Sequence, residues 1–286
     1  MSGEGFEKFI NLMIYIIHEM IIAFRYPWKP KKKKTLELSE FDLVFEDHFD
    51  GEELNEEIWG KYAEDGIRKG GYWDLESQTF LKDSCLIIRT EYKKEGKFGE
   101  GYYTANVSSR GAYEQTYGYF ECRCKLPAAE GMWSAFWLMT PMVGDFVPGK
   151  IGTEIDVFES PVWWRGKNRH ERNLVTSNLH YGGYKLGHRY KNVAVTRLNN
   201  PYEEFNTYGV EWNENGYIFY INGDEVGRSK FGGVCRSPEY LRCTCEVDGT
   251  HGKPTFGWSG KITRAAEDEL PADFVIDYVR AYQYKK

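Results

Sequence analysis

The chain of 286 residues carries 37 Lys and Arg against 43 Asp and Glu, a net charge of −6, which excludes the strongly basic surface of a nucleic-acid binder. At 41% hydrophobic residues it has material for a real core, in one large β domain or two smaller units. Aromatic residues reach 16%, more than core packing alone calls for; flat rings also serve as platforms for the apolar faces of ligands.

The first predicted element is a helix over residues 6–24, "FEKFINLMIYIIHEMIIAF", with Lys8, Asn11, Tyr15 and His18 recurring on one side. His18 and Glu19 interrupt it as a membrane span, and it has neither the basic start nor the small-residue cleavage site of a signal peptide. It reads as an amphipathic helix that packs on its own domain or on a second copy of the chain, with membrane attachment as the lesser alternative. "PWKPKKKKT" (27–35) is a basic, proline-broken linker. The division expected is residues 1–38 as helix and linker, and 39–286 as one folded domain.

From residue 39 onward the pattern is β throughout. Short runs such as "FDLVFEDHF", "CLIIRTEY", "GYFECRCKL", "SAFWLM", "LVTSNLHYGG", "FNTYGVEW", "YLRCTCEV" and "FVIDYVRAYQY" alternate with turn signals. "YINGDEV" predicts a hairpin at Asn222–Gly223, and Asn213–Gly216 a second turn. More than ten strands and no long helical period predict an all-β fold, a two-sheet sandwich of jelly-roll type. The six cysteines (Cys85, Cys122, Cys124, Cys235, Cys243 and Cys245) include two pairs at i, i+2, which is not the spacing of a zinc or redox site. They read as buried thiols, which suits a reducing, cytoplasmic compartment better than secretion; a disulfide or metal role is the alternative.

"EIDVFE" (154–159) places Glu154, Asp156 and Glu159 in one strand. Side chains alternate faces along a strand, so Glu154 and Asp156 share a face that Glu159 lacks. A β-bulge at Val157–Phe158 brings Glu159 back to that face. Crowded like charges are costly and need a reason. A retaining glycosidase supplies one, because it needs two carboxyls about 5–5.5 Å apart across the scissile bond. A solvated face or a calcium site is the bland alternative.

With its flanks, "GTEIDVFES" resembles the active-site strand of glycoside hydrolase family 16 in its bulged form. Supporting strings follow in the family's order: "FDLVFEDHFDGEELNEEIW", "TYGYFECRCKLPAAEGMWSAFWLM", "FNTYGVEWNENGYIFYINGDEV" and "LPADFVIDYVRAYQY". The resemblance runs from residue 41 to 284. It implies a jelly roll with a concave sugar-binding cleft, Glu154 as nucleophile, Glu159 as acid/base and Asp156 as assisting carboxylate. It also implies substrate-binding roles for Trp73, Trp133, Trp137, Trp164 and His180.

Three departures stand out. "YYTANVSS" has Asn106 and Val107 where many family glucanases carry an Arg, Trp73 stands where many have an Asn-rich stretch, and His48 replaces a Glu usual in calcium-binding relatives. The expectation is a retaining endo-glycosidase with no cofactor in its chemistry, no metal in its site and, on balance, no structural calcium. Its expected partner is a β-linked polysaccharide, β-1,3-glucan first. A galactanase of agar, porphyran or carrageenan type, a transglycosylase and a non-catalytic sugar-binding protein are the alternatives.

Overall fold

The computed structural model describes residues 34–140, 152–161, 173–184, 187–265 and 267–286, together with Met13 and Met20. The helix expected at 6–24 and its docking, most of the basic linker, and Trp164 lie outside the described residues. No helix among the described residues is long and apolar enough to cross a membrane.

Twenty strands follow in chain order. The first ten are β1 (Phe41–Asp47), β2 (Gly66–Arg68), β3 (Gly71–Trp73), β4 (Thr79–Leu81), β5 (Leu86–Lys93), β6 (Gly101–Thr104), β7 (Asn106–Ser108), β8 (Glu114–Gln115), β9 (Gly118–Lys125) and β10 (Met132–Met139). The rest are β11 (Glu154–Pro161), β12 (Leu174–Tyr181), β13 (Arg189–Arg197), β14 (Asn206–Asn213), β15 (Gly216–Ile221), β16 (Asp224–Ser229), β17 (Glu239–Val247), β18 (Gly249–Thr250), β19 (Lys253–Pro254) and β20 (Ala272–Tyr284).

They form the sandwich that the alternating pattern predicts. One sheet of eleven strands runs β16-β15-β14-β9-β20-β5-β6-β3-β2, with β1 added on β20 and β4 on β5. The other, of seven strands, runs β13-β12-β11-β10-β17-β7, with β8 added on β17. The β15–β16 hairpin turns at Asn222 and Gly223, both at positive φ (50° and 79°), the backbone that an Asn-Gly pair tolerates. Ahead of β1, Thr35 bridges to Asp224 and Lys34 pairs with Glu211 at 3.1 Å, so the linker's end runs along the edge strand β16.

The core lies between the sheets. Phe120 and Trp212 from the larger sheet and Phe136 and Phe158 from the smaller are fully buried within one apolar cluster. All six cysteines are buried thiols and none forms a disulfide. Four of them, on β9 and β17, take the place of small apolar side chains in this core.

Glu239, which opens β17, is fully buried. Burial pushes its carboxyl well above the usual range, against weaker opposing contacts with the Cys235 thiol and the Thr153 backbone. The unfolded carboxyl ionises near pH 4.3, the folded one only at much higher pH. Glu239 therefore favours the fold most below about pH 4.3, and that contribution is lost as pH rises toward the folded value. Glu239→Gln keeps the shape without the charge, and its Tm should exceed the native value at pH 8 but not at pH 4. Thermal unfolding at the two pH values checks this; a lower Tm for the variant at both would show that the ionised acid stabilises the fold.

Candidate active site

β11 is the middle strand of the site, and its register shows why three acids meet there. Glu154 pairs with His180 and Asp156 with Asn178, but the next pair is Glu159 with Thr176, so three residues on β11 span two on β12. On the other side Phe136 faces Phe158 and Trp137 faces Asp156, which leaves Val157 without a partner. Val157 and Phe158 both enter the core, where the Phe158 ring lies 4.2 Å from that of Tyr208. The Ser177 hydroxyl donates to the Val157 carbonyl at 2.9 Å and satisfies the acceptor that the bulge frees. With two consecutive side chains turned inward, Glu159 returns to the face of Glu154 and Asp156.

The same face of the neighbouring strands completes the wall. β10 contributes Trp133, Ala135 and Trp137, and β17 places Glu246, Thr244 and Arg242 directly opposite them. β12 adds Thr176, Asn178 and His180, and β13 adds Asn192 and Tyr190.

Each acid has its own surroundings. Glu154 accepts a short hydrogen bond from the Tyr184 hydroxyl. Burial raises its proton affinity, while His180, Tyr184 and Arg242 pull it down. Asp156 is 3% exposed; burial first, then the charges of Glu154 and Glu246, hold its carboxyl well above the ordinary range. Its Oδ2 lies 3.2 Å from His180 Nε2. Glu159 is pushed well above its usual value by burial, then by Asp156 and Glu154. The Asn178 amide opposes this by donating to Glu159 Oε2 at 2.6 Å. Asn192 donates to the Asn178 carbonyl at 2.9 Å, which orients that amide. Of the three acids, Glu154 is thus the one whose contacts favour the charged form most. The donor atoms of Glu154, Asp156 and His180 lie within 4.8 Å of one another, close enough to share protons.

The tryptophans occupy different settings. Trp133 is 8% exposed and meets the more open Trp258 edge-to-face at 5.5 Å. The Trp137 indole donates to Thr244 Oγ1 at 3.1 Å, and the Arg242 guanidinium lies 4.4 Å from its ring. Trp73 is 2% exposed, donates to the Cys245 carbonyl at 2.8 Å, and carries the Arg68 guanidinium 4.6 Å from its ring. Arg242 is in turn held by Asn106 Oδ1 at 2.8 Å and Glu64 at 2.9 Å. Asn106, one of the departures noted in the sequence, thus orients an arginine supplied by another strand. The residues proposed for a structural calcium do not fit one: Asp277 is paired with Arg123, and His48, a poor calcium ligand, lies 3.1 Å from Arg280 Nη2.

Asn178, Tyr184, His188, Arg242 and Glu246 escaped the sequence reading. Only Asn178 carried a usable signal, since it sits two residues before His180 on the same strand face.

Residues 43–284 match the family model described as β-porphyranase A–D, GH16 domain. The endo-1,3-1,4-β-glycanase EglC of Rhizobium meliloti (strain 1021) is 28% identical over 184 residues, 64% of this chain and 34% of that protein. A β-glucanase of Rhodothermus marinus is 25% identical over 267 residues, 85% of this chain and 86% of that protein. The chain spans about a third of the length of the first such relatives, 34% for EglC. The catalytic domain of a laminarinase from Thermotoga petrophila RKU-1 superposes with a TM-score of 0.68 at 24% identity, covering 86% of this chain and 99% of that one, a likeness of fold.

The setting of Glu159 can be tested without substrate. Asn178→Leu removes the donor that favours its charged form, so its titration midpoint should rise, as read by carboxyl-carbon NMR. An unchanged midpoint would mean that the Asn178 amide does not act on this acid. With the bulged acid strand, the sandwich that carries it and a family match over nearly the whole described domain, the chain belongs to glycoside hydrolase family 16 and is a retaining, endo-acting glycoside hydrolase.

Proposed function

We propose that residues 39–286 form the catalytic domain and cleave β-1,3-linked glucan, of laminarin or mixed-linkage type, by double displacement. The observation that carries the chemistry is the bulge that gathers Glu154, Asp156 and Glu159 on one wall. Glu154, drawn toward its charged form by His180, Tyr184 and Arg242, attacks the anomeric carbon. Glu159, held protonated by burial and by its acidic neighbours, gives its proton to the leaving oxygen. Glycosylation of Glu154 then removes a nearby charge, which lowers the proton affinity of Glu159 and prepares it to activate water. Asp156, between them, exchanges protons with its neighbours. Trp133 and Trp258 offer the aromatic platform for the chain, and His180 supports the acids. In this reading Trp73 and Trp137 act through Arg68 and Arg242, which they hold in place.

The substrate assignment draws on the β-glucanase names of the relatives. A second reading, a sulfated β-galactan of porphyran type, is favoured by one feature. Arg68 and Arg242 lie at Trp73, so cationic groups border the cleft, and the family description points the same way. A screen over laminarin, mixed-linkage glucan, agarose, porphyran and carrageenan separates the two. Cleavage of laminarin supports the first reading, and cleavage of porphyran alone replaces it. An intact pair of catalytic acids argues against a purely sugar-binding protein.

On the preferred polymer, Glu154→Gln should lose nearly all turnover with the fold intact. Glu159→Ala should lose roughly a hundred- to ten-thousandfold. Azide should partly restore the Glu159→Ala variant on substrates with good leaving groups, measured as release of an aryl alcohol. Native rates in either variant would remove these residues from the chemistry.

A further inference from the structure

His180 is engaged at both ring nitrogens. Its Nε2 lies 3.2 Å from Asp156 Oδ2, and its Nδ1 lies 2.8 Å from His188 Nε2. The two imidazoles are nearly parallel, at 11°, with centroids 5.1 Å apart. Tyr190 stacks beside His180 at 5.7 Å, and Tyr184 flanks His188 at 6.1 Å. His188 comes from the connection between β12 and β13, which turns at Gly182, φ +80°. There a Cβ would meet the Gly187 carbonyl at 2.3 Å, so only glycine permits this close return.

We propose that His188 is a positioning residue of the active site, which fixes the tautomer of His180 so that His180 Nε2 faces Asp156 as a proton acceptor.

Only one hydrogen fits between two nitrogens 2.8 Å apart. Partial burial, the facing His180 and Arg189 lower the proton affinity of His188, so it stays neutral at working pH and its Nε2 accepts. His180 then carries its hydrogen on Nδ1, and its Nε2 lone pair points to Asp156. A proton can pass from Asp156 Oδ2 to His180 Nε2: the O–H bond breaks, the N–H bond forms, and a carboxylate faces an imidazolium. Nothing else changes hands. The charge gained stays on His180, where His188 stabilises it by accepting the Nδ1–H. An orienting partner plays the same part for other working histidines.

The groups facing the pair are Asp156, Glu154 and Glu159 from β11, Tyr190 and Arg189 from β13, and Tyr184 from the connection. His180 lowers the proton affinity of both Glu154 and Glu159. Losing His188 makes His180 a weaker base, so both glutamates should hold protons more tightly. Both limbs of the kcat/KM profile should then move to higher pH.

The inference rests on the reading of Glu154, Asp156 and Glu159 as the catalytic acids, so it is tested twice. Without substrate, imidazole-nitrogen NMR of the native protein should show neutral His180 protonated at Nδ1, a state lost in His188→Phe. Neutral His180 protonated at Nε2 in the native protein would overturn the inference whatever the activity. With substrate, His188→Phe should lower kcat about ten- to a hundredfold. KM should stay within about twofold and both pH limbs should move up. His188→Gln, whose amide reaches the place of Nε2, should recover kcat to within about threefold of native. A His188→Phe profile that overlays the native one, or a Gln variant as impaired as the Phe variant, would overturn it. Full activity in Glu154→Gln would instead unseat the catalytic reading and leave the NMR result standing.

Discussion

The side chains of Val157 and Phe158 both enter the core, and that double burial brings Glu159 to the wall of Glu154 and Asp156. Burying each such side chain is worth roughly 1.5–3 kcal/mol, so the core fixes the bulge by stabilisation that has nothing to do with sugar. Ser177 closes the remaining backbone gap. A regular strand would turn Glu159 to the opposite, core-facing side, where a carboxyl has no work and a high desolvation cost.

Gathering three carboxyls creates a second constraint, because they cannot all be charged in so small a volume. The surroundings set an order of ionisation. Glu154 has a tyrosine hydroxyl, an imidazole and a guanidinium to favour its charge. Asp156 gains nothing comparable, and Glu159 has Asn178 against two acidic neighbours. A nucleophile that is ionised first and an acid that keeps its proton are what double displacement asks for. The His180–His188 pair extends this arrangement outward, giving the middle acid a base with which to exchange its proton.

The strand pattern, the Asn222–Gly223 hairpin and the acid motif were legible because they are local: each depends on residues adjacent in sequence. β13 was not, since "RYKNVAVTR" is an edge strand whose first four residues are exposed and whose apolar alternation is correspondingly weak. The partners of the acids were hidden for another reason. Arg242 is 86 residues from Asp156 in sequence, and Tyr184 and His188 sit in a connection whose composition marks only a turn. Their roles follow from sheet register, which no single segment encodes. The long-range pairing of Asn106 with Arg242 likewise turned a departure from the family's pattern into part of the cleft wall.

The account stands on one carboxyl forming a bond to sugar while its strand neighbours do not. A fluorosugar inactivator built on the preferred oligosaccharide would trap that bond, and peptide mass spectrometry of the digested protein would locate it. The account predicts a single label on Glu154. A label on Glu159 or Asp156, or turnover blocked with no covalent adduct anywhere on this strand, would contradict it.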